Sequence, residues 1–363
     1  MKQAEKSFQK DTTLKSRSGI VSWESPANIA LVKYWGKKPG QLPWNPSLSL
    51  TLSKSVTLMN VEYNYTGFHE DIHAGFEFSG DNKNPAFGER VIKYVEAIKN
   101  YLPMMAYYDF KIRSFNNFPH SSGISSSASA FSALALCFTE IEQASYKDNV
   151  VLDEAFYKKA SFLARLGSGS ACRSMYGGLV LWGHTEWIEG SSDEYALKLC
   201  EGISPVIDSI HDTILLIDRS VKPILSSAGH ALMDTNPYSV VRYRQAEKHL
   251  KDLITAIKKG DLDSFFNLIE IEAFELHAML LTSFPGYILL KPGTLRIIEM
   301  VRNERLKGLP IGFTIDAGAN IHLLYPADSS EQVFSFIRNE LPEFHDSDII
   351  TDHVGKGPVK VTL

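Results

Sequence analysis

Four segments, far apart in the chain, carry the side chains best suited to chemistry. PHSSGISSSASAFSALALCF (Pro119–Phe138) is a Gly/Ser loop running straight into a helical stripe in which Ala128, Phe131, Ala135 and Phe138 share a face. The free N–H groups and positive dipole end of such a helix start can hold an anion. The hydroxyls of Ser125, Ser126 and Ser127 can add bonds to a phosphate or a bound cation; an ordinary capped helix explains the stretch equally well. It is not a Walker A loop, because no Lys-Ser/Thr follows Gly123. GSGSACRSMYGG (Gly167–Gly178) is a second small-residue loop with one cation, Arg173, open to bidentate capture of carboxylate or phosphate, or to a salt bridge at a helix end. NIALVKYWGK (Asn28–Lys37) embeds Lys33 in an apolar run, where a lysine either snorkels or faces a functional cavity. TIDAGAN (Thr314–Asn320) ends a strand with Asp316, either a turn former or a general base. Two anion-binding loops, two or three cations and one strand-end carboxylate suit phosphoryl transfer from a nucleotide to a small anionic alcohol.

One further match competes. His69-Glu70-Asp71-Ile72-His73 fits HExxH, whose zinc chemistry requires a helix to bring both imidazoles to one metal. Here it lies between Gly67 and Gly75 in a segment of strand alternation. In a strand the two histidines would stand about 13 Å apart, so a surface hairpin is the expectation.

The elements that must position these residues follow from periodicity. Ser47–Leu52 alternates with period two and reads as a half-buried strand, and Val61–Phe78 as a hairpin. Phe87, Val91, Val95 and Ile98 predict an amphipathic helix over Pro85–Asn100. Phe110–Phe115 reads as a strand leading into the serine loop, Asp153–Leu166 as a helix ending at Gly167, and Leu179–Trp182 as a strand, with Glu189–Tyr195 a surface loop. After about Cys200 come a strand at Thr213–Asp218, helices near 237–258, 261–281 and 293–306, and strands at Gly312–Ile315 and His322–Tyr325. No internal repeat or long linker interrupts them. The reading is two intimately packed α+β domains joined near residue 200.

Composition narrows the class. In 363 residues, 44% are hydrophobic and 22% charged, which excludes a mostly disordered chain. A net charge of −5 gives no general attraction to nucleic acid or anionic membrane. The three cysteines, Cys137, Cys172 and Cys200, are too few and too scattered for a disulfide scaffold or a zinc knuckle, and fit a reducing cytosol. The polar first nineteen residues lack the apolar core of a secretory signal, and no apolar run approaches the roughly 20 residues of a membrane span. A cytoplasmic protein is expected.

Taken in order, NIALVKYWGK with NPSLSLTL, NNFPxxxGISSSAS, ARLGSGSACRSMYGG and TIDAGAN resemble the diphosphomevalonate decarboxylase family of the GHMP kinase superfamily. Smaller echoes are SSAGH (Ser226–His230), LTSFPGY (Leu281–Tyr287) and VGKGP (Val354–Pro358), so the resemblance spans residue 20 to the C-terminus. It implies an α+β, GHMP kinase-like two-domain fold. The expected parts are a polar extension over 1–19, a ribosomal protein S5 domain 2-like ATP-binding domain over 20–200, and a ferredoxin-like domain over 201–363.

It also implies a reaction. ATP with Mg²⁺ would phosphorylate the tertiary 3-hydroxyl of (R)-5-diphosphomevalonate, and loss of phosphate and CO₂ would leave isopentenyl diphosphate. By the resemblance Asp316, Lys33 and Arg173 are catalytic; Tyr34, Lys37, Ser168, Ser170 and Ser227 bind substrate; and Asn117, Gly123, Ser125, Ser126 and Ser127 bind ATP. Mg²⁺ would be held through ATP, with Ser126 the candidate hydroxyl. A homodimer is implied, without nucleic-acid or membrane partners.

The chain departs from the family pattern twice. His120-Ser121-Ser122 replaces the usual Thr-Ala-Ala, and Ser226-Ser227-Ala228-Gly229 lacks the arginine or longer loop that many members use to grip the diphosphate. A phosphomevalonate decarboxylase, or a kinase of a mevalonate derivative that stops before decarboxylation, is the alternative. Asp316 argues against the latter, because mevalonate 3-kinases of this branch generally lack that carboxylate.

Overall fold

A computed structural model describes residues 14–78, 85–118, 126–219 and 226–362, without the side chains of Ser226 and Ser227. In chain order the strands and helices are β1 (Gly19–Ala30), β2 (Lys37–Lys38), β3 (Leu42–Pro43), β4 (Ser47–Tyr65), β5 (His73–Phe78), α1 (Pro85–Ile98), β6 (Tyr108–Asn116), α2 (Ser126–Tyr146), α3 (Glu154–Gly167), β7 (Leu179–Trp182) and β8 (Ala196–Leu199). They continue with α4 (Pro205–Asp208), β9 (Ile210–Leu215), α5 (Ser226–Ala231), α6 (Ser239–Lys259), α7 (Leu262–Leu281), α8 (Pro292–Leu306), β10 (Gly312–Thr314), β11 (Ile321–Pro326), α9 (Ser330–Glu340), β12 (Ile349–His353) and β13 (Val359–Val361).

Two sheets organise these elements. The first runs β13-β1-β4-β6-β5, with β7 pairing β4 and β8 pairing β7; the second runs β10-β11-β9-β12. The last strand returns to the first sheet, where Ser22 pairs Val361 and Glu24 pairs Val359. One face of the first sheet packs Trp23, Met59 and Ile112 against Val91 of α1, Phe131 and Phe138 of α2 and Leu163 of α3. α2 is buried nearly all round, and its run of Ala and Ser lets neighbouring backbones approach on every side. Across the sheet, Ile29, Leu48 and Leu50 share a core with Ile214 of β9, Leu250 of α6 and Phe265 and Phe266 of α7. The two sheets therefore meet through a common apolar layer.

Helix ends follow local chemistry. Asp153 caps α3 by accepting the Phe156 N–H, and Asp261 caps α7 by accepting that of Ser264. Gly260, at φ 68°, takes the left-handed conformation that ends α6 and begins the tight turn to α7.

Three expectations need correction. Ser47–Leu52 is buried on both faces: Leu48 and Leu50 face the shared core, while on the polar face the Ser47 and Thr51 hydroxyls donate to the carbonyls of Val32 and Tyr176. Val61–Phe78 is not a hairpin, because Val61–Tyr65 ends the long β4 and β5 crosses over to pair β6 in parallel. The separation expected for His69 and His73 also fails. Residues 66–72 are irregular and double back, so the two imidazole rings lie 4.6 Å apart.

Candidate active site

The loop after β1 carries Lys33 into the layer between the sheets. Leu31 and Val32 keep contact with β4 by donating to the Leu48 carbonyl, which leaves Lys33 only 2% exposed. Its ammonium meets Asp316 Oδ1 at 2.7 Å. Burial lowers the Lys33 pKa, opposed by the Asp316 charge and hydrogen bond and by Glu272. Asp316 follows β10 at the mouth of the layer, 26% exposed, with its own carbonyl 3.2 Å from His277 Nε2. The segment beyond is pinned: Ala319 O accepts the Thr294 hydroxyl and Asn320 Oδ1 accepts the Asp218 N–H.

Arg173 arrives from the 3-10 turn Gly169–Met175, which follows α3. Its Nη1 donates to Ser47 Oγ at 2.9 Å and its Nε to Asn28 Oδ1 at 3.3 Å. The guanidinium lies 5.5 Å from the Tyr34 ring centre and 5.7 Å from that of Trp182. Burial lowers its pKa, opposed by Cys172, Tyr34 and the Asp316 charge. A guanidinium almost fully buried on neutral partners is costly unless an anion completes it.

Four of the substrate-side residues expected from sequence, Tyr34, Lys37, Ser168 and Ser170, lie in this region. Tyr34 packs edge-on to Trp182 at 4.8 Å and against His230 at 4.7 Å, and burial raises its pKa. Ser168 Oγ stands 3.4 Å from both Ser170 Oγ and Ser127 Oγ, so the GSGS turn and the start of α2 share one hydroxyl-lined wall. Ser126 begins α2, where its carbonyl accepts the Ser129 hydroxyl. Lys37, on β2, has its pKa lowered to about 8 by burial and then by repulsion from Arg90, and among the described residues it has no acidic partner.

Two expected residues are placed otherwise or incompletely. Asn117 spends its amide on β4, accepting from the Val56 N–H and donating to Lys54 O. Ser227 lies in α5, its side chain outside the described atoms; Gly123, Ser125 and His120-Ser121-Ser122 lie outside the described residues.

Several participants escaped the sequence reading. Asn28 and Ser47 sit inside the quoted motifs but carried no role there, although a buried arginine needs such acceptors. Glu272 of α7 accepts the Lys33 N–H, and Arg242 of α6 pairs with Glu272 while donating to the Lys33 carbonyl at 3.2 Å. A carboxylate within the Phe265–Ile269–Ala273–Leu276 stripe was the available signal. His230 is stacked between Tyr34 and Trp35, and its Nδ1 accepts the Gly36 N–H at 2.9 Å. Burial, then the charges of Lys37 and Arg173, push its pKa well down. It is therefore neutral, with its proton on Nε2.

Fold and site together define the two-domain, GHMP kinase-like class. Residues 25–196 match the diphosphomevalonate decarboxylase-like N-terminal domain, and 213–361 the mevalonate 5-diphosphate decarboxylase C-terminal domain. The chain belongs to the diphosphomevalonate decarboxylase family. Diphosphomevalonate decarboxylase of Bos taurus is 28% identical over 343 residues, covering 89% of this chain and 81% of the bovine one. Mevalonate diphosphate decarboxylase from Staphylococcus aureus superposes with a TM-score of 0.81 at 28% identity, covering 95% of this chain and 99% of that one. A complex of MDDEF with MVAPP, AMPPCP and magnesium superposes with a TM-score of 0.79 at 28% identity, covering 96% and 100%.

Proposed function

We propose that this enzyme carries out the ATP-dependent decarboxylation of (R)-5-diphosphomevalonate, giving isopentenyl diphosphate, ADP, phosphate and CO₂. The observation that carries the reading is Arg173, buried with its hydrogen bonds spent on the neutral Asn28 and Ser47, in the same cleft as the Lys33–Asp316 pair. In this reading the substrate carboxylate completes Arg173, and the ring faces of Tyr34 and Trp182 hold the guanidinium plane.

Asp316 orients the tertiary 3-hydroxyl and accepts its proton as the γ-phosphoryl of ATP is transferred. Lys33 favours the ionised form of Asp316 and counters charge on the moving phosphoryl group. When phosphate leaves, the 3-carbon becomes electron-poor, and the carboxylate pinned by Arg173 supplies the bonding pair as CO₂ departs. Lys37 and the Ser168–Ser170 turn serve the phosphate end of the substrate, and the start of α2, with Ser126 and Ser127, the nucleotide. The oxygen donors of this cleft, the serine hydroxyls and one carboxylate, are the hard ligands that suit Mg²⁺ and too few to enclose it, so ATP phosphates would complete its shell. Mg²⁺ would supply neutralisation of phosphate charge.

The two matched domains, 25–196 and 213–361, support our division near residue 200. Among the described residues no helix is long and apolar enough to cross a membrane, which is compatible with the cytoplasmic homodimer we infer from the resemblance. The deciding assay incubates the pure protein with ATP, Mg²⁺ and diphosphomevalonate and follows ADP and CO₂ together. Equal release supports the reading. ADP without CO₂ identifies a kinase, and turnover only with phosphomevalonate replaces the diphosphate substrate by the monophosphate.

A further inference from the structure

We propose that His69, His73 and Asp109 form a binding site for a Zn²⁺-class divalent cation, on the outer strands of the first sheet. The backbone assembles the three residues. Parallel pairing of β5 with β6 places His73 directly beside Asp109. The connection leading to β5 is tied to the 3-10 segment Pro103–Tyr107, with the Thr66 N–H donating to Tyr107 O and the His69 N–H to Ala106 O at 2.7 Å. That second bond returns His69 over His73, ring to ring at 4.6 Å.

The side chains then present a donor set. His73 Nδ1 is 3.1 Å from Asp109 Oδ1, and one ligand atom from each of the three residues lies within 4.8 Å of the others. Two ligands at about 2.0–2.1 Å from a tetrahedral zinc are separated by about 3.3 Å. The His73–Asp109 edge, at 3.1 Å, already has about that length, and the His69 edges lie within 4.8 Å. Thr66 supports the set from outside, its hydroxyl 2.9 Å from His69 Nε2 and 3.4 Å from Asp109 Oδ1. Metal-binding histidines characteristically rely on such outer partners.

The composition of the site selects the ion. Two imidazoles and one carboxylate favour Zn²⁺, Co²⁺, Ni²⁺ or Cu²⁺ over Mg²⁺, whose preferred ligands are all oxygen. His73 and Asp109 are about half exposed, so an ion can enter from solvent and water can take the fourth position. Bound there, the cation would clip the irregular 66–72 connection to β6. This role is separate from the ATP-dependent reaction.

The test uses metal-stripped, untagged full-length protein titrated with Co²⁺, followed by its visible absorption and then by Zn²⁺ displacement. The expected result is one equivalent of Co²⁺ with the intense bands of tetrahedral coordination, displaced by Zn²⁺. Affinity should fall at least about tenfold in both His69→Ala and His73→Ala, while circular dichroism and ATP-dependent turnover stay as in the parent. Absence of saturable binding, or either variant binding as tightly as the parent, would overturn the proposal.

Discussion

The main-chain N–H of Lys33 donates to the Glu272 carboxylate at 2.8 Å, across 239 positions of sequence. The carbonyl of the same residue accepts from Asn45 and from Arg242, and its ammonium meets Asp316. The active-site lysine is thus held at three points, with α6, α7 and the segment after β10 each supplying a partner. Correct placement of this side chain depends on how the second sheet and its helices seat against the first.

Glu272→Gln should therefore affect both stability and turnover. The amide can still accept the Lys33 N–H, but Arg242 loses its buried counter-charge and His249 its carboxylate partner. We expect a loss of roughly 3 kcal/mol in urea unfolding, the low end for a broken buried pair, because Glu275 remains 3.2 Å from Arg242. At a temperature where the variant stays folded, kcat should fall more than KM rises. An unchanged kcat would reduce the clamp to a purely structural role.

Asp316→Asn tests the proton acceptor. The side chain is partly exposed and sits after β10, so the fold should survive with an unaltered circular dichroism spectrum. Loss of a general base predicts a fall of about 10²–10⁴-fold in kcat. Turnover within a few-fold of the parent would remove Asp316 from that role.

Arg173→Met separates binding from stability. Apolar replacement of a buried, unpaired charge is commonly neutral or stabilising, so the ligand-free variant should melt no lower than the parent. Substrate-dependent stabilisation should disappear and kcat/KM collapse. Arg173→Lys should recover little, since an ammonium cannot reproduce the two-pronged contact. A large fall in the melting temperature of ligand-free Arg173→Met would mean that the guanidinium serves the fold.

Lys37 gives the pH dependence a sign. Its pKa is depressed from 10.5 to about 8, chiefly by burial. Between those values the unfolded chain binds more protons than the folded one, so stability of the ligand-free protein should rise with pH from about 8 to 10.5. Binding of a phosphate-bearing ligand should draw a proton onto Lys37, visible near pH 8 as calorimetric heats that differ between buffers of different ionisation enthalpy. Both effects should vanish in Lys37→Met.

Much of this was legible where a residue's type and its local context agreed. Lys33 in an apolar run, Arg173 among small residues and Asp316 at a strand end each stood out, and folding brings them into one cleft. What escaped was long-range geometry. β5 pairs in parallel with a strand lying beyond α1, so periodicity alone suggested a hairpin. Glu272 and Arg242 sit on helices whose apolar stripes dominate the pattern, and their meaning depends on a partner in another part of the chain. His69 and His73 came together because an irregular connection bent back, which alternation cannot report.

The pairing of β13 with β1 bears on biogenesis. During synthesis, residues 19–30 emerge well before residues 359–361, so β1 can pair with β4 while its opposite edge waits for Val359–Val361. While the intervening residues are made, the nascent chain carries an unmatched strand edge, the kind of surface that invites intermolecular pairing. β13 thus acts as a seal added long after β1 is made. Loss of this short stretch should raise the demand for chaperones more than it weakens the finished enzyme.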